Sequence, residues 1–104
     1  MPHFMIQYLP GTGPSLRSRT PEYEAAQKAR ADYRRALGAR IVLAGPLFRP
    51  GRGEEAVSSL VILDARDQEE AQKLSREDPY FKAGEFSDIV VHELRISSFN
   101  PPVF

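Results

Sequence analysis

The sequence predicts a single α+β domain with its elements in the order βαββαβ, and three observations carry that expectation. Four short stretches rich in apolar and β-branched residues are each bounded by Gly, Pro, Asp or Ser, as strands are. Two of the stretches between them have helix start and stop signals. The 104 residues suffice for one modest core and not for two.

Residues 3–9 (HFMIQYL) are apolar and aromatic and run into Pro10-Gly11, which marks a first strand. PGTGPSLRSR then reads as a loop without periodic pattern. The first helix is framed by Thr20 as a cap, Pro21 at the first helical position, Glu22 at the positive end and Gly38 as a left-handed stop. Ala25, Ala26, Ala29, Tyr33, Ala36 and Leu37 fall on one face, a thin stripe that predicts close approach to a sheet.

Residues 40–47 (RIVLAGPL) give a second strand, and FRPGRGEE a polar connection of the kind a long hairpin uses. Residues 57–64 give the third strand. Asp67 followed by Glu70 predicts a reciprocal capping box for a second helix reaching about Arg76, with Ala71 and Leu74 inward. Asp78-Pro79 turns the chain, Gly84 releases it, and residues 87–97 (SDIVVHELRIS) form the fourth strand. Residues 96–104 should be an irregular tail. There is no internal repeat and no second domain.

With right-handed crossovers this order gives a ferredoxin-like fold, a four-stranded antiparallel sheet with both helices on one face. Two helices cover one side, yet the strands are apolar on both: Phe4 and Ile6 against Met5, Ile41 and Leu43 against Val42, Leu60 and Ile62 against Val61 and Leu63. A sheet with one wet face should alternate cleanly between apolar and polar. Each large apolar side chain gains roughly 1.5–3 kcal/mol on burial, so an exposed row is expensive. The expected lid is a second copy of the same sheet, hence a homodimer through the helix-free face. Phe99, Val103 and Phe104 of the tail would latch onto that partner.

Composition removes several function classes. Fourteen basic and fourteen acidic residues cancel, so no global field favours nucleic acid or an anionic membrane as partner. The absence of cysteine excludes disulfide and thiol chemistry and fits a cytoplasmic protein. No run approaches the roughly 20 apolar residues of a membrane span. Two distant histidines leave no recognisable metal site, and no cofactor is expected. The GTGPS stretch lies where a phosphate loop would, but lacks the lysine and the spacing.

Three motifs resemble the YCII-related family of dimeric α+β barrel proteins: Ala44-Gly45-Pro46-Leu47 closing the second strand, the acidic approach from Asp64 to Ala71, and Asp78-Pro79-Tyr80 followed by Ala83-Gly84. The resemblance spans most of the chain, loosely at the N-terminal end. It implies an active site in a cleft beside the sheet, where family members typically pair a helix-one histidine with the aspartate of the DPY motif. At least one member is a dehydrochlorinase-type lyase.

The aspartate is present as Asp78, but no histidine lies between His3 and His92. Helical phase selects Arg30 in its place, one turn before Tyr33 and two before Leu37. An ungapped alignment would select Lys28, which points away from the apolar stripe; Gln27 is a third option. Histidine passes protons near neutrality, whereas arginine stays protonated, pairs with carboxylates and is a poor general base. An Arg30–Asp78 pair therefore points to orientation or binding of an acidic ligand more than to proton shuttling.

Tyr80 and Gln7 complete the expected site as ligand-binding residues. Plainer readings stand beside these: the Gln7 amide, interrupting an apolar strand, needs a partner that can be backbone, a dimer mate or a ligand. Asp78 can simply make the turn by bonding the backbone two residues on. Tyr80 can pack between the second helix and the last strand. His92 can be an ordinary residue of an apolar row, or a relocated acid–base group. Arg17, Arg19, Arg34 and Arg35 form a basic neighbourhood that reads as solvated surface. The expected function is binding of a small acidic metabolite, with lyase or isomerase chemistry catalysed by Asp78 and Arg30. The alternative is a non-catalytic ligand-binding or interaction module, and cofactor-independent oxygen chemistry is a third class resting on fold analogy alone.

Overall fold

Alternation along the first strand, β1 (His3–Pro10), sets the two sides of the sheet. Phe4, Ile6 and Tyr8 are buried, while the residues between them are half-exposed. The computed structural model describes residues 1–11, 20–51 and 56–98. The remaining elements are α1 (Thr20–Leu37), β2 (Ile41–Phe48), β3 (Ala56–Asp64), α2 (Gln68–Arg76), α3 (Pro79–Lys82) and β4 (Phe86–Leu94). The strands pair antiparallel in the order β2-β3-β1-β4, the ferredoxin-like arrangement. The apolar core joins Phe4, Ile6, Tyr8, Val61, Leu63 and Ala71 on the helix-bearing face.

Register decides which residues share a face. Phe4, Ile6 and Tyr8 lie opposite Leu63, Val61 and Ser59, while Met5 and Gln7 lie opposite Ile62 and Leu60 on the other side. On β2 the expected pairing of Ile41 with Leu43 is corrected. The ladder shifts between these residues, so Ile41 sits opposite Leu63 on the helix side and Leu43 opposite Ile62 on the helix-free side. An inserted residue reverses the alternation beyond it. A second shift follows at Leu47/Phe48.

Gly38 has a φ of 56°, the left-handed stop its position predicts, and a short 3-10 turn (Gly38–Arg40) leads into β2. Asp67 caps α2 by accepting a hydrogen bond from the Glu70 backbone N–H at 2.8 Å. The return half of the box differs from expectation. Glu70 accepts from the Arg66 backbone N–H, one residue earlier than the cap, and from the Arg66 and Arg40 side chains. That backbone bond is the largest influence holding the Glu70 carboxyl below its usual range, with Arg40 adding to it.

The α1 stripe is also shifted. Ala26 is buried and Tyr33 and Leu37 are half-buried, but Ala25, Ala29 and Ala36 are exposed. The helix is turned so that Arg30 and Arg34 sit beside the apolar positions. β4 ends at Leu94, earlier than residue 97, because its neighbour β1 ends its pairing at His3. The expected tail contacts of Phe99, Val103 and Phe104, and the reading of residues 12–19 as a loop, lie outside the described residues. Among the described residues no helix is long and apolar enough to cross a membrane.

Candidate functional site

The stretch after α2 folds as its residue types dictate. Pro79 suits the first position of a helix, and Asp78 caps it: Oδ1 accepts from the Tyr80 backbone N–H, two residues on, at 2.8 Å. Gly84 then takes a φ of 85°, a conformation that side-chain-bearing residues avoid, and the chain turns into β4. Turn-making therefore accounts for one Asp78 oxygen. The other accepts from Arg30 Nε of α1 at 3.2 Å.

This ion pair is nearly dry. The Asp78 side chain is 2% exposed and that of Arg30 14%. Arg30 Nη2 donates to Ser59 Oγ of β3 at 3.3 Å. Its guanidinium carbon lies 4.3 Å from the centre of the Tyr80 ring and 5.8 Å from that of Phe86, both within cation–π range. Tyr80 and Phe86 stand 6.4 Å apart, and Tyr23 closes on Tyr80 at 6.3 Å. A guanidinium is thus fixed by a carboxylate, a hydroxyl and a ring.

The structure brings Arg30, Asp78 and Tyr80 together. Gln7 is corrected: it lies opposite Leu60 and Val90 on the helix-free face, because an odd-numbered β1 residue cannot share a side with Tyr8. His92, opposite Met5, is exposed on that same face and away from the cleft. His3 pairs with Asp64 across β1 and β3. Among the described residues no three His, Asp or Glu side chains gather as a metal site would require.

A narrow crevice between α1, α2 and the sheet continues the site inward. Tyr8, Tyr33, Arg34, Leu74, Ser75 and Asp78 are among its lining residues. The Tyr8 hydroxyl donates to the Ser75 carbonyl at 3.4 Å, and the Tyr33 hydroxyl donates to the Leu74 carbonyl. Burial, and then the Asp78 charge, push the Tyr8 phenol up to about 12, and burial raises Tyr33 as well. Arg34, expected as solvated surface, is instead turned into this crevice. Its spacing of four from Arg30 was the available signal. Phe86, Ser59 and Tyr8 had none, since their roles depend on sheet register.

Tyr8 gives a pH prediction. Its folded pKa is raised, so the fold favours the neutral phenol. That contribution is whole below the ordinary value of 10.0 and is lost as pH climbs towards about 12. The loss should be roughly 2–3 kcal/mol, read by urea unfolding at about pH 8 and about pH 12. Tyr8→Phe should shrink the decline by that amount; an unchanged decline would assign it to other groups.

Comparison with known proteins matches this arrangement to a family. The YCII-related domain model covers residues 5–95. A solved structure of 5-chloro-2-hydroxyhydroquinone dehydrochlorinase from Burkholderia phenoliruptrix, in complex with 2,5-dihydroxybenzoquinone, superposes with a TM-score of 0.67 at 26% identity. The superposition covers 88% of this chain and 93% of that one. A search of curated proteins finds no match. With its β-sheet order, its DPY turn and nearly its full length inside the match, the chain belongs to the YCII-related family.

Proposed function

We propose that the protein binds a small acidic metabolite in the cleft between α1 and the sheet, and acts on it as a lyase or isomerase. The observation that carries this reading is the dry pair of Arg30 with Asp78 beside a cluster of aromatic rings. Asp78 and Arg30 are the proposed catalytic pair and Tyr80 a ligand-lining residue. The two members of the pair divide the work. Asp78, 1% exposed, positions Arg30. Arg30 stabilises negative charge developing on a ligand oxygen, which fixed donors do best where water is excluded. The dehydrochlorinase neighbour holds an acidic, planar quinone, a ligand of the same chemical kind. The near-complete burial of Asp78 favours a second reading as well, a binding module without turnover.

A thermal-shift screen of small organic acids, including 2,5-dihydroxybenzoquinone, tests the proposal. A ligand present at about 100 times its Kd should raise the Tm on the order of 10 °C. Arg30→Ala should abolish the rise. A screen without stabilising acids, or hits indifferent to Arg30, would overturn the ligand site. Product formation from a hit, followed by NMR, separates the enzyme from the binder.

The proposal extends to a homodimer formed through the helix-free face. Met5, Leu43, Leu47, Leu60, Ile62 and Val90 share that side, and both long helices pack on the other. Leu43 is 46% exposed in the single chain. A second copy presents a sheet of the same size and apolar character, which is the simplest cover for it.

A further inference from the structure

Arg34 carries a charge that the fold leaves unmatched. It follows Arg30 by four residues on α1, so the two guanidiniums project to the same side of the helix. Arg30 is answered by Asp78 and Ser59. Among the described residues no carboxylate pairs with Arg34, and its Nη2 is closed off from solvent without any hydrogen-bond partner. Neither neighbouring phenol supplies a negative charge, because Tyr8 and Tyr33 are both held protonated and give their hydrogens to backbone carbonyls. Arg34 lines the crevice beside Asp78, whose carboxylate already accepts from Arg30, so two guanidiniums share one carboxylate. A buried donor left empty is costly, and such a group in a folded protein calls for an occupant. Burial first, and then the charge of Arg30, push the Arg34 pKa down, and the Asp78 charge opposes them only in part.

We infer that Arg34 receives an anionic oxygen of the bound ligand, and so selects acids over neutral molecules of the same shape. This rests on the reading of the cleft as a ligand site. A water molecule could satisfy the hydrogen bond at Nη2 but not the charge. Arg34 therefore discriminates on the charge the ligand already carries, while Arg30, held by Asp78, meets the charge that develops during reaction. The ligand class is a small planar acid bearing a carboxylate or enolate oxygen, with its ring towards the aromatic side chains.

Benzoate and its neutral isostere benzamide test the inference in NMR titrations of the wild type, Arg34→Met and Arg34→Lys. The wild type should prefer benzoate by about tenfold or more, the usual scale of one charge-assisted contact. Arg34→Met should lose that preference and Arg34→Lys should keep part of it. In the unliganded protein Arg34→Met should also raise the Tm, since an apolar side chain replaces a stranded cation. An Arg34 that merely braces the fold would lower the Tm when removed and leave the preference intact, which would overturn the inference. So would a wild type with no preference for benzoate. If benzoate binding is lost in Arg30→Ala but indifferent to Arg34, only the role of Arg34 falls; if no acid binds at all, the ligand site falls with it.

Discussion

Asp78→Ala is expected to destabilise the protein by about 3–5 kcal/mol, the cost of stranding one member of a buried ion pair. The substitution leaves Arg30, 14% exposed, without its carboxylate, and it also removes the acceptor that caps α3. A domain of this size has roughly 5–15 kcal/mol in total, so much of the population would unfold at modest urea concentrations. Asp78→Asn should cost less, because the amide oxygen can still accept from the Tyr80 N–H while the charge opposite Arg30 is gone. The double variant Arg30→Met with Asp78→Leu should recover much of the loss, because no unpaired charge remains. Urea unfolding of all three is the measurement. A loss under about 1 kcal/mol for Asp78→Ala would be the value of an exposed pair, and would mean that water reaches this site.

Ile62→Glu is expected to convert a dimer into a monomer without unfolding the chain. Ile62 sits at the centre of the helix-free side, opposite Met5 on β1 and Leu43 on β2. In a single chain the new carboxylate would meet water. In a sandwich of two sheets it would be buried unpaired in both copies, at about 2–5 kcal/mol or more, which weakens association at least about thirtyfold. Sedimentation of the wild type at twice the 11.7 kDa chain mass, and of the variant at that mass, is the expected result. A wild type that sediments as a monomer at micromolar concentration would remove the homodimer from the proposal.

Most of the architecture was legible because it follows from local signals. Gly38 stops α1 in the left-handed region, Asp67 caps α2, and Asp78 bonds the backbone two residues on, each through groups a few residues apart. The Arg30–Asp78 contact is legible in part, because the family resemblance pairs the DPY aspartate with a helix-one residue and helical phase selects Arg30. Long-range register was not. The shift between Ile41 and Leu43 reverses one strand's faces, and nothing in IVLAGPLF marks it. Gln7 differs from expectation because a polar residue in an apolar strand calls for a backbone, dimer-mate or ligand partner without saying which, and its alternation with Tyr8 puts it on the far side from the cleft. In the sequence Arg34 reads as surface because charge normally is. Only the packed arrangement shows a guanidinium turned inward.

The two register shifts in β2 have a consequence beyond which side chains face where. β2 is an outermost ribbon of the sheet, with a proline at position 46 that offers no N–H. A rim broken in this way makes a poor template for a further chain to add alongside. Growth by lateral addition into fibres is discouraged along that rim.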